Sequence, residues 1–179
     1  MKIIGLMLFI LVTSCATLSE NDCKNGNWKL IGKKDGISGK PLKVISQHQE
    51  ACSPYKVKVD TKEYESGRKE GLVTYCKSEN GYQEGLAGHT YHNVCTSKEF
   101  IKKYKIGHKI FDLKKEISDY QKEINELESD YTMSNDDDAK IKLRYRIQKN
   151  YDKIGDLNKK ITLLKVYAAG EEHELIDLF

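Results

Sequence analysis

Residues 110–131 read IFDLKKEISDYQKEINELESDY, and residues 143–168 read LRYRIQKNYDKIGDLNKKITLLKVYA. In the first stretch Ile110, Leu113, Ile117, Tyr120, Ile124, Leu127 and Tyr131 recur at alternating steps of three and four. In the second, Leu143, Ile147, Asn150, Ile154, Leu157, Ile161, Leu164 and Ala168 do the same. Such steps keep one stripe of a helix apolar, so two heptad helices are predicted. The polar stretch between them, 132–140, supplies a cap residue and the acids Asp136, Asp137 and Asp138, which favour a helix N-terminus. It reads as the loop of an antiparallel hairpin.

The charges beside the stripe support that topology. Glu116, Glu123 and Asp130 precede the apolar positions of the first helix, and Arg146, Lys153 and Lys160 those of the second. An antiparallel hairpin pairs Asp130 with Arg146, Glu123 with Lys153 and Glu116 with Lys160, whereas a parallel homodimer would set Glu123 against Glu128. A monomer is therefore expected. Asn150, polar within the apolar stripe, is read as a register setter.

Upstream the pattern changes. Asp60-Thr61-Lys62-Glu63 has the form of a capping box, and Tyr64, Arg68, Leu72 and Tyr75 follow at helical spacing, so 61–77 is predicted helical. Gly67 and Gly71 sit one turn apart in it, which requires another segment to approach that face closely. Leu42, Ile45 and Cys52 carry a looser helical spacing. The glycine-rich, aperiodic stretch 28–39 reads as a loop. Thr96-Ser97-Lys98-Glu99 opens another helix which, if continuous through Gly107 to Tyr131, is about 50 Å long at 1.5 Å per residue.

The N-terminus carries a targeting signal: Met1-Lys2 is basic, residues 3–12 are apolar, and Val12-Thr13-Ser14-Cys15 places small residues before a cysteine. This resembles the lipobox of a bacterial lipoprotein, which implies a lipid anchor on Cys15 as the mature N-terminus and attachment to the membrane through it. Two or three acyl chains make such an anchor stable. Ala16, where Asp would follow, matches export to an outer membrane facing the periplasm if the source is Gram-negative. The expected location is the cell envelope.

Four further cysteines, Cys23, Cys52, Cys76 and Cys95, lie in the first half of an exported chain, and disulfides are the expected state. Three connectivities are open. The preferred one joins Cys23 with Cys52 and Cys76 with Cys95, because the latter pair brackets a segment expected to turn at Asn80-Gly81. The competing chemistry is a metal site built from His89-x-x-His92-x-x-Cys95 with His48-x-x-x-Cys52. Oxidation of the thiols would remove the ligands zinc needs.

Trp28, Ile31-Gly32, Asp35-Gly36, Gly39, His48 and Cys52, then Tyr64-x-x-Gly67-Arg68-x-x-Gly71-Leu72-x-x-Tyr75-Cys76, then Asn80-Gly81, Gly85, Gly88, Tyr91 and Val94-Cys95 together resemble the bacterial family known as domain of unknown function 2799. The resemblance covers roughly 23–107. It implies an exported, commonly lipidated protein with no assigned activity, and so no catalytic residues to carry over.

The fold class expected is thus mainly α: a small disulfide-braced helical and loop domain followed by a long antiparallel coiled-coil hairpin. The segments are a signal peptide (1–14), a lipidated Cys and tether (15–22), the braced domain (23–107), the hairpin (108–169) and an acidic tail (170–179). That tail, acidic with an apolar end, is expected to dock on the domain or on a partner. A net charge of +3 spread along the chain gives no footprint for nucleic acid. No Gly-x-Ser-x-Gly, phosphate loop or carboxylate pair marks an enzyme, and no cofactor is implied. The function expected is a non-enzymatic envelope module that binds a protein partner or acts as a spacer through the hairpin. The alternative is a metal-binding protein or enzyme using His48, His89 and His92.

Overall fold

The computed structural model describes residues 18–170, and the signal segment, Cys15 and the tail beyond Gly170 lie outside them. Seven α-helices run through the described residues in order: α1 Glu20–Asn25, α2 Trp28–Ile37, α3 Val44–Cys52, α4 Thr61–Tyr75, α5 Ser78–Leu86, α6 Lys98–Met133 and α7 Asp137–Ala168. A 3-10 turn, Ser53–Tyr55, extends α3, and the described residues contain no strand.

Local chemistry sets most of these boundaries. Ser19 and Asp22 form a reciprocal capping box on α1, which ends at Gly26 in the left-handed region with φ 60°. The side chains of Asn27, Asp60, Ser97 and Asp136 accept from backbone N–H groups in the first turns of α2, α4, α6 and α7.

One expectation is overturned: 28–39 is not a loop, because α2 fills most of it. Its period is one of small residues instead of apolar ones. Gly32 and Gly36 share a face four residues apart, and α4 presents Gly67 and Gly71 in the same way. A methyl group on Gly67 would stand 2.7 Å from the carbonyl carbon of Lys29, and one on Gly32 would stand 2.8 Å from that of Tyr64. The two helices therefore touch backbone to backbone. Gly32 faces Tyr64 and Gly36 faces Arg68, so the contacts advance the same way along both and the pair is parallel.

A second pair repeats the first. Gly81 and Gly85 on α5 meet the backbone of α6 at Phe100 and at Tyr104 to His108, and Gly107 meets Tyr82 to Leu86 in return. Asn80-Gly81 is accordingly no turn but lies inside α5. The third glycine of each set, Gly39 (φ 63°) or Gly88 (φ 71°), has left-handed backbone geometry. The ring of Tyr75 lies against Gly39 and that of Phe111 against Gly88. Here only glycine fits, on both counts.

The cysteines staple the approaches to these pairs. Cys23 on α1 is bonded to Cys52 at the end of α3, and Cys76 at the end of α4 to Cys95 just before α6. Each bridge is worth about 2–4 kcal/mol. The apolar cores are correspondingly small: Cys23, Cys52, Trp28 and Tyr64 form one, and Tyr75, Cys95 and Phe100 another.

The third core is the hairpin. Ile106, Ile110 and Leu113 of α6 pack on Leu157, Ile161, Leu164 and Ala168 of α7, all on the predicted stripe or its extension. With 36 residues, α6 runs about 54 Å without a break. It belongs to both units, clasping α5 at its start and α7 along its length. The predicted charge register is corrected: Arg146 pairs with Glu123 at 2.9 Å, one heptad from Asp130, and none of the three expected pairs closes. Glu116 and Lys160 instead flank one groove, and Glu123 and Lys153 another.

Candidate functional site

The most developed polar arrangement is built by the first glycine pair. Asp35 precedes Gly36 on the contact side of α2, so the close approach of α4 carries it out of solvent. It is 5% exposed, beside His48 at 1% and Tyr64 at 0%. Its Oδ2 stands 2.6 Å from His48 Nε2 on α3 and accepts from the Tyr64 hydroxyl on α4 at 2.9 Å. Its Oδ1 pairs with Lys40 Nζ at 2.8 Å. The Lys40 carbonyl in turn accepts from Arg68 Nη2 at 2.8 Å and Nε at 3.2 Å.

These contacts fix the ionisation of the cluster. Burial works to raise the Asp35 carboxyl, but the hydrogen bonds from His48, Lys40 and Tyr64 outweigh it together and hold the group at about 2. Burial, then the adjacent Asp35 charge, raises the Tyr64 phenol, so it stays a donor. With the carboxylate ionised and accepting only, His48 Nε2 carries the proton between them. An Asp–His contact of this kind orients a general base in many enzymes, but here all three side chains are sealed between helices. The arrangement ties α2, α3 and α4 together.

The second pair carries a weaker counterpart. Glu84 precedes Gly85 as Asp35 precedes Gly36, and its Oε2 lies 3.1 Å from His89 Nδ1 and 3.5 Å from the Tyr75 hydroxyl. Burial, and then Glu84, pushes the Tyr75 phenol up to about 12. Beside it Tyr91 packs on Phe100 and Tyr104, and Tyr104 on His108, with ring centroids 5.3 to 5.6 Å apart. The Tyr91 hydroxyl bonds both the N–H and the carbonyl of Cys95 at 2.9 Å, which fixes the bridge against this stack.

The three histidines of the metal reading are not brought together. His48 is buried in the first pair, while His89 lies past the end of α5 with its side chain 63% exposed. Among the described residues no group of three or more His, Cys, Asp or Glu is placed to hold a metal ion. Sequence reasoning singled out His48 and missed its partners Asp35 and Tyr64 as a unit. The signal that finds them is Gly-x-x-x-Gly-x-x-Gly, which occurs at 32–39 and again at 81–88 with an acid before the second glycine each time.

On the hairpin, large side chains remain exposed towards the far end. Met133, Ile141 and Tyr145 are 64 to 71% accessible. At the opposite end an open groove of about 450 Å³ lies between the start of α6 and the end of α7.

Among curated proteins and among solved structures nothing matches the chain. A family model described as "Protein of unknown function (DUF2799)" matches residues 27–109. That span runs from the cap of α2 through both glycine-locked pairs and stops before most of the hairpin. The similarity to this family therefore rests on residues 27–109, 83 of the chain's 179.

Proposed function

We propose that the protein is a lipid-anchored envelope protein without a catalytic role, which uses the glycine-locked domain as a rigid base and its coiled-coil hairpin as the contact element. The observation that carries this reading is the exposure of Met133, Ile141 and Tyr145 on the far half of a hairpin that extends beyond the family-matched segment. Ile141 and Tyr145, four residues apart, share one exposed face of α7, and adjacent exposed apolar side chains favour a protein partner. The two polar clusters, by contrast, are consumed in joining helices. Both disulfides suit an oxidising compartment, in line with export and with the lipobox ending at Cys15.

Two measurements test it. Mass spectrometry of the N-terminal peptide from the envelope fraction is expected to find Cys15 first in the chain and diacylglycerol-modified, and an unmodified Cys15 would overturn the anchor. A photo-crosslinker at Met133 is expected to capture one envelope protein, lost when Ile141 and Tyr145 are both changed to Ser. Capture unaffected by that change would remove the hairpin from the contact.

A further inference from the structure

The groove at the base of the hairpin is lined by Lys98, Ile101, Lys102, Lys105, Ile106 and Tyr167. Its floor is apolar and its rim is basic, with three lysines and no acid among the lining residues. Lys102 Nζ stands 4.6 Å from the centre of the Tyr167 ring, which holds the ammonium at the mouth. Tyr167 is also the third residue before Gly170, where α7 is finished. The Gly170 N–H bonds the Tyr167 carbonyl at 3.1 Å, and Gly170 itself has φ 94°.

The sequence beyond Gly170 has the complementary chemistry. Residues 171–179 contain Glu171, Glu172, Glu174 and Asp177, interleaved with Leu175, Ile176, Leu178 and Phe179. We infer that this C-terminal segment docks in the groove of its own chain, its acids meeting Lys98, Lys102 and Lys105 and its apolar side chains covering Ile101, Ile106 and Tyr167. Reach permits it. The groove spans the seven steps from Lys98 to Lys105, about 10 Å of helix, and nine residues extend to about 30 Å. Tethering beside the groove gives the segment an effective concentration in the millimolar range, so a weak contact suffices to fill it.

The test uses the full chain. An equimolar mixture of 14N- and 15N-labelled protein is treated with a zero-length carbodiimide crosslinker, which joins lysines only to carboxylates in contact, and the products are mapped by mass spectrometry. The expected links join Lys98, Lys102 or Lys105 to acids of 171–179, each within one isotopic label. A Leu175→Ser/Phe179→Ser variant retains every reactive group, and its docked population should fall about tenfold or more. Mixed-label links would put the segment on a second copy and overturn the proposal. So would the absence of links, or an undiminished yield in the variant, which would reduce the contact to tethered proximity.

Discussion

Replacing Gly67 by Ala and, separately, Gly155 by Ala sets one substitution against itself in two environments. Both glycines are inside helices, and in both the change removes a helix penalty of about 1 kcal/mol. At Gly155 nothing lies within 4 Å of the new methyl group, so that gain is realised. At Gly67 the methyl would be 2.7 Å from the Lys29 carbonyl carbon and nearer still to its oxygen. Neither atom belongs to a side chain that can turn away. The helices must separate by roughly 1 Å, and a gap of that size forfeits a quarter to a half of the dispersion attraction across the interface. With an overpacking cost of about 3 kcal/mol or more set against the gain, the net loss is about 2 kcal/mol or more. At about 2–4 °C per kcal/mol, Gly67→Ala should melt some 4–8 °C low and Gly155→Ala about 2–4 °C high. Trp28, the single tryptophan, sits at the start of α2 and reports on the first pair by fluorescence, while far-UV circular dichroism follows the hairpin. Gly67→Ala melting at or above the parent temperature would refute the backbone contact.

Three further outcomes are expected. The Asp35 carboxyl is held at about 2 against an ordinary 3.8, so it contributes roughly 2 kcal/mol above pH 4 that is lost as pH falls through about 2. Asp35→Asn should be less stable at neutral pH and should lack that acid-dependent loss in denaturant titrations, and an unchanged acid profile would contradict this. Asn150 is buried with its Nδ2 lacking a hydrogen-bond partner. Asn150→Leu should therefore raise hairpin stability by about 1–3 kcal/mol, and a lower melting temperature would show that the amide is satisfied. A double-mutant cycle should find coupling of up to about 1 kcal/mol between Glu123 and Arg146 and none between Glu123 and Lys153. The reverse result would restore the register expected from the heptads.

Where a rule of local chemistry acts alone, the sequence discloses the structure. Asp60 and Ser97 are legible as caps because a cap needs only its own side chain and the next turn. The hairpin stripe is legible because apolar burial imposes its period over many turns. The sequence pattern of α2 is not apolar: glycines at 32 and 36 define its buried face, and a search for apolar periodicity reads them as helix breakers. For the same reason Asp35 reads as a loop acid. Its burial comes from the approach of α4, which no residue near it announces. The hairpin charges fail differently. Long exposed Lys and Arg side chains choose among several carboxylates for small energies, so position in the heptad fixes the helix register and leaves the partner open.

The glycine pairs also explain how a chain so rich in charge keeps a fixed shape. Of its residues 39% are hydrophobic and 32% charged, and the hairpin core claims seven of the buried apolar residues. The two small cores of the braced domain are left with little more than aromatic rings and half-cystines. Close contact between backbones substitutes for missing side-chain volume, since every pair of heavy atoms at contact distance, backbone atoms included, adds its own small dispersion attraction. Such contact tolerates no added methyl group, so the surrounding chain must be held in register by other means. The two disulfides and the Asp35–His48–Tyr64 bonds do this from the ends and the side of the first pair. The second pair has a looser Glu84 cluster but gains α6, whose far length is clamped by α7. The hairpin thereby acts as a brace for the domain from which it extends, and its direction is set where Gly85 and Gly107 bring α5 and α6 together.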